Sequence, residues 1–263
     1  MLNSKSWLIM VTVALAISLA TLLPSAAPSN ATQAGTSKDE NAASPKSLSG
    51  TWALSAPRGP GQGWYNYALI GDEPPMTAWA EEKFKANKPS FGPNPHEESN
   101  DPAYSCLPNG VPRVYAAVQA SMQIVELPGR VMMFFGHNLR QIYTDGRQHP
   151  PGIKPLWMGH AIGKWDGDTF VVDTVDISDI NWLDRMGHPH SDKLHLIERF
   201  RRVDDKTMQL NITIDDPIAY TKTWDATPRT FRLRTNDRAV EAICEDMFLN
   251  EAFGLHPVLP SMK

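Results

Sequence analysis

From about residue 120 onward the chain alternates apolar and polar positions with a period of two, in short segments broken by glycine, proline and aspartate. Such alternation belongs to strands that bury one face and leave the other to solvent. Segments 122–127 and 131–137 flank Pro128-Gly129, 139–144 runs into Asp145-Gly146, and 157–165 and 169–177 flank Asp166-Gly167. Segments 193–203 and 207–215 flank Asp204-Asp205, and 230–234 and 240–244 finish the series. Paired turn residues of this kind join antiparallel neighbours. An earlier strand is predicted where Leu48-Ser-Gly-Thr-Trp52 opens the globular part, followed by a flexible Gly59-Pro-Gly-Gln-Gly63 loop. Residues 75–88 break the alternation with Ala78, Ala80, Glu81, Glu82, Lys83 and Lys85, which favour a helix that Pro89 closes. The pattern as a whole predicts an all-β fold, a closed antiparallel meander barrel with one short helix on its N-terminal side and long loops. Closure removes the exposed edges that such a series of strands would otherwise present.

The ends of the chain read differently. Lys5 precedes an apolar run from Trp7 to Leu23 that ends at Pro24 in a small-residue stretch, Ser25-Ala26-Ala27. This order of charge, apolar run and small residues predicts a cleaved secretory signal over residues 1–27 and a periplasmic or secreted protein with no membrane anchor after cleavage. Residues 28–47 hold almost nothing large and apolar, which predicts a disordered tether. The expected organisation is therefore signal, tether, and one barrel domain over 48–263.

Charge narrows the partners. A formal net charge of −4 without a basic tract argues against nucleic acid and points to a small molecule. The chain has only two cysteines, Cys106 and Cys244, and in an oxidising compartment an even pair is expected to form a disulfide.

Two resemblances follow from local motifs. Gly50-x-Trp52 on the first strand, ahead of an up-and-down strand series, resembles the opening of lipocalin-like barrels and implies that fold in outline. Four runs are similar to a family of exported bacterial proteins of uncharacterised activity: Gly163-Lys-Trp-Asp-Gly-Asp-Thr169, Gly187-His-Pro-His-Ser-Asp192, Glu198-Arg-Phe-Arg-Arg202, and Asp215-Asp-Pro217 with Tyr220-Thr-Lys-Thr-Trp224. That likeness implies an extracytoplasmic protein and brings no reaction with it.

Candidate chemistry comes from polar residues that interrupt apolar faces. Val131, Met133 and Phe135 lead to His137, and Met158 and Ile162 flank His160. The face Val171, Asp173, Val175 carries one carboxylate and the face Leu194, Leu196, Glu198, Phe200 another. If these faces point inward, the barrel holds two histidines and two acids, and each acid needs a partner or a raised pKa. Pairing with arginines of neighbouring strands is the structural alternative for both acids.

A second set lies in the 178–192 loop, which is long for a connection between neighbouring strands and carries Trp182, Asp184, His188, His190 and Ser191. Pro189 fixes an extended backbone, so His188 and His190 are expected to project to one side with Cα atoms about 6.5 Å apart. Asp184 could orient one imidazole while the other exchanges protons. With His195 as a third ligand the pair could instead hold a divalent metal. Ser191 lacks the Gly-x-Ser-x-Gly elbow of a hydrolase nucleophile. Trp182 and Tyr220 are the aromatic residues expected to wall a ligand site beside this set. The expected function is an extracytoplasmic barrel binding a small amphipathic or aromatic molecule. Cofactor-free acid–base chemistry of lyase, isomerase or hydratase type would use His188, His190, Asp184, Glu198 and Asp173, with His137, His160, Trp182 and Tyr220 as ligand contacts. A passive carrier and a metal-dependent enzyme using the histidine pair are the alternatives.

Overall fold

The structure, a computed structural model, describes residues 47–55, 67–71, 73–90, 96, 98–116, 121–136 and 138–235. The expected signal, the tether before residue 47, the 59–63 glycine loop, His137 and the 240–244 segment with Cys244 lie outside the described residues.

Among the described residues, ten strands form one sheet. They are β1 (Gly50–Leu54), β2 (Ser121–Leu127), β3 (Arg130–Phe135), β4 (Asn138–Tyr143), β5 (His160–Asp166), β6 (Thr169–Val175), β7 (His195–Asp204), β8 (Thr207–Asp215), β9 (Trp224–Asp225) and β10 (Arg229–Arg234). All but β9 close into a nine-stranded barrel, because β10 pairs with β1 on one side and with the first half of β8 on the other. The two-residue β9 lies along the second half of β8. The fold is an all-β barrel with a single α-helix among the described residues, α1 (Ala78–Ala86), and two short 3-10 turns, Pro102–Ser105 and Arg113–Ala116.

One joint refines the meander. β4 and β5 run parallel, with Ile142 opposite Ala161 and Tyr143 opposite Ile162, whereas the other eight joints of the ring are antiparallel. An odd-numbered ring cannot be antiparallel throughout, since each antiparallel step reverses direction and a return to the first strand needs an even number of reversals. The 144–159 connection must therefore carry the chain back along the wall before β5 begins. Its length and its three prolines, Pro150, Pro151 and Pro155, suit an extended crossover.

Alternation sets the interior. Trp52, Met122, Ile124, Met133, Ile142, Phe170, Val172, Leu196, Phe200, Leu210 and Phe231 all point inward and are buried. Gly163 keeps the wall open to the ring of Phe170, which a Cβ at that position would overlap. The helix is shorter than residues 75–88 because Thr77 caps it, its hydroxyl accepting from Ala80 N at 3.3 Å. Met76 just before it forms a bridge with Tyr220. That bridge brings α1 against the loops that follow β6 and β8.

Candidate functional site

Between β6 and β7 the chain leaves the barrel wall and folds over α1 and the 216–220 segment. Two buried aspartates organise this excursion. Asp184 accepts Leu69 N at 3.0 Å on Oδ2 and Met186 N at 2.9 Å on Oδ1, and its Oδ2 lies 2.7 Å from His188 Nδ1. Asp216 accepts Ser191 N at 2.6 Å and Ser191 Oγ at 2.8 Å, and also Ile218 N and Ala219 N at 3.1 and 3.0 Å. Asparagine could not replace either without losing acceptor capacity. Tyr220 donates its hydroxyl to Pro189 O at 2.7 Å, bracing the backbone between the two histidines.

The two rings have different surroundings. His188 is 5% exposed, stacks on Phe84 of α1 with centroids 4.8 Å apart, and donates Nδ1–H to a carboxylate that can only accept. Burial alone would lower its pKa, but the Asp184 charge and hydrogen bond outweigh burial and hold the imidazolium above its usual range. The reciprocal holds for Asp184: burial works to raise its pKa, and the His188 charge with the amides of Leu69 and Met186 brings it below the usual carboxylate range. His190 is 3% exposed and donates Nδ1–H to Ser191 O at 3.1 Å. Burial outweighs that bond and the charges of Asp216 and Asp179 and lowers its pKa. Burial, together with the charges of Asp184 and Asp216, raises the Tyr220 phenol and keeps it a neutral donor. The loop thus carries one imidazole favoured as the cation and one favoured as the neutral base, two residues apart. Among the described residues no group of three or more His, Cys, Asp or Glu side chains converges on a metal position.

A separate chain of imidazoles runs along the outer wall. Residues opposite each other in the ladder share a face, and Ala161 opposite buried Thr174 fixes the inward one. His160 and Asp173 therefore face out, which corrects the expectation that Asp173 and His160 line the interior. His149, from the 144–159 crossover, lies over them. Its Nδ1 is 2.7 Å from His160 Nδ1 and its Nε2 is 3.3 Å from Asp173 Oδ1. His195, weighed as a third ligand for the loop pair, instead donates Nε2–H to the same Asp173 oxygen at 2.9 Å.

Glu198 does point inward, fully buried. Arg140 grips it with two guanidinium bonds of 2.7 and 2.5 Å and also donates to Thr174 Oγ1 at 2.8 Å, while Thr174 donates to Glu198 at 2.9 Å. Tyr115, reaching in from the 3-10 turn, contacts the same guanidinium and packs edge-on against Phe135 and Phe200. Burial works against the Arg140 cation, and Glu198 and Tyr115 together, through charge and hydrogen bonds, outweigh it and raise its pKa. At this level the lumen is filled by side chains.

The structure thus brings Asp184, His188, His190 and Tyr220 into one loop region, with Trp182 buried under the Arg113 guanidinium, 5.8 Å from its ring centroid. It places Glu198 and Asp173 in two other networks, and His137 lies outside the described residues. Sequence reasoning missed Phe84, Asp216, His149, Arg140 and Tyr115. Asp216 alone had a local signal, since Asp216-Pro217 favours the start of a turn in which the aspartate can accept from the backbone that follows. Compared with known proteins, the chain matches no family model, no curated protein and no solved structure.

Proposed function

We propose that this is an exported β-barrel protein that moves protons on a small organic molecule without a cofactor, with His188 as general acid and His190 as general base. The observation that carries the proposal is the pair of imidazoles two residues apart whose surroundings push them in opposite directions, a carboxylate partner for His188 and burial for His190. Titratable neighbours driven apart in this way supply acid and base at one pH. In both rings Nδ1 is occupied by a fixed partner, so Nε2 is the reacting atom. Asp184 and Tyr220 act as positioning residues for the loop, and Trp182 supplies apolar surface. The leader-like N-terminus, the likeness to exported bacterial proteins and the net charge of −4 support an extracytoplasmic protein acting on a diffusible small molecule rather than on nucleic acid. The filled lumen favours binding at the loop over binding in the middle of the barrel. Glu198, held by Arg140, is then structural.

The test works on an unidentified substrate. The mature protein is incubated in D2O with pools of small ketones, hydroxy acids and unsaturated acids, and solvent deuterium in substrate or product is read by mass spectrometry. The expected result is incorporation that His188→Gln or His190→Gln lowers by about 10² to 10⁴. The rate should fall on the acid side as His190 takes a proton, below the usual imidazole value of about 6.5, and on the alkaline side as His188 loses its proton, above it. A ligand retained without exchange or product would establish the carrier instead, and activity abolished by a chelator would establish a metal enzyme.

A further inference from the structure

The outer-wall network has a proton inventory that its geometry fixes. Asp173 Oδ1 can only accept, so His149 and His195 both present Nε2–H to it. A neutral His149 that carries its proton on Nε2 has a lone pair on Nδ1. The 2.7 Å contact between His149 Nδ1 and His160 Nδ1 therefore holds a single proton, donated by His160. His160 is left as the Nδ1–H tautomer, the less common one for a free imidazole, with Nε2 as its basic end.

The surroundings of the pair favour that neutral form. His160 is buried on the wall, its ring stacks on Tyr143 at 5.4 Å, and Arg147 covers the same tyrosine at 3.7 Å from the ring centroid. Burial, then His149, then Arg147 lower the His160 pKa, and Asp176 opposes them. Asp145 holds Arg147 in place, its own carboxyl drawn down to about 2 by that guanidinium. Asp173 and, beyond it, His195 are the charged and titratable groups on the other side of His149.

His149 is also where the crossover is fastened to the wall. Its ring bonds β5 through His160 and β6 through Asp173, ahead of the point where Leu156 joins the wall by hydrogen bonds with Asp176 and Ser178. We propose that His149 and His160 form an acid-released latch: above the imidazole range one shared proton ties the 145–155 segment to the barrel wall, a first added proton enters at His160 Nε2 and leaves that bond in place, and a second, on His149 Nδ1, turns the contact into two facing N–H groups and frees the segment. The latch is independent of the catalytic reading of the loop pair, and its test uses no activity.

Two NMR measurements on the full mature chain decide the matter. At pH 7 the ring nitrogen shifts of His160 should report the neutral Nδ1–H tautomer; an Nε2–H tautomer overturns the latch. Backbone relaxation of residues 145–155 should give order parameters of about 0.85 at pH 7, falling below about 0.6 at pH 5. Order that persists at pH 5 in the parent overturns the proposal. His160→Gln, whose amide can donate to a neutral His149 or accept from a charged one, should keep the segment ordered at both pH values. An equal loss of order in that variant would also overturn it. Should His160→Gln fail to fold, the tautomer and the parent's pH response still decide.

Discussion

Arg140 is a fully buried cation whose partners are Glu198, Thr174 and Tyr115. Its existence explains why a carboxylate interrupts the otherwise apolar face of β7, a feature that in sequence could equally have marked a ligand cavity. Glu198→Leu should lower stability by about 3 to 5 kcal/mol in urea unfolding, because it strands a buried guanidinium. A double variant, Arg140→Met with Glu198→Leu, should recover most of that loss. A single variant as stable as the parent would return Glu198 to the reacting groups. His188 and His190 show the same lesson at smaller scale. Their spacing was legible in the sequence, but the difference between them comes from one carboxylate and one carbonyl, and that difference depends on how the loop folds back on Asp184.

At the scale of elements, periodicity carried most of the information. The strands over 122–135, 139–143 and 160–215 were legible because alternation and turn pairs coincide there. The facing of 169–175 was not, since both of its faces are largely apolar: Phe170 and Val172 on one, Val171 and Val175 on the other. The burial of Phe170, Val172 and Thr174 on one face settles that Asp173 looks outward. The parallel joint was equally invisible, because pairing partners are not encoded in the period of a single strand. Gly163 makes this wall testable. A Cβ there would overlap the Phe170 ring and come within 2.9 Å of Ile142 Cγ2, so Gly163→Ala should cost about 1 to 3 kcal/mol by overpacking. Thermal melting of parent and variant checks this, and an unchanged melting temperature would mean that the wall yields at β5.

For the whole molecule, the expected disulfide would join the 3-10 turn at Pro102–Ser105 to the C-terminal segment. Cys106 caps that turn in the left-handed region, with φ 57°, while Cys244 lies outside the described residues. Denatured, unreduced protein should show no titratable thiol, and reduction should lower stability by up to about 5 kcal/mol in the chain-entropy account; two free thiols would refute the pairing. Closure of the ring has a further consequence, for the order in which the barrel is assembled. The β5–β6 joint is held by seven residue pairs and the β3–β4 joint by six, whereas the parallel β4–β5 joint has two. The β2–β4 and β5–β8 runs can each zip from hairpins with short loops to close, whereas residues 55–120 separate β1 from β2. The joint that pairs residues 51–54 with 231–234 brings together the ends of the described barrel, so ring closure there is a late, non-local event, while the two-pair seam is where a folded barrel of this kind breathes first.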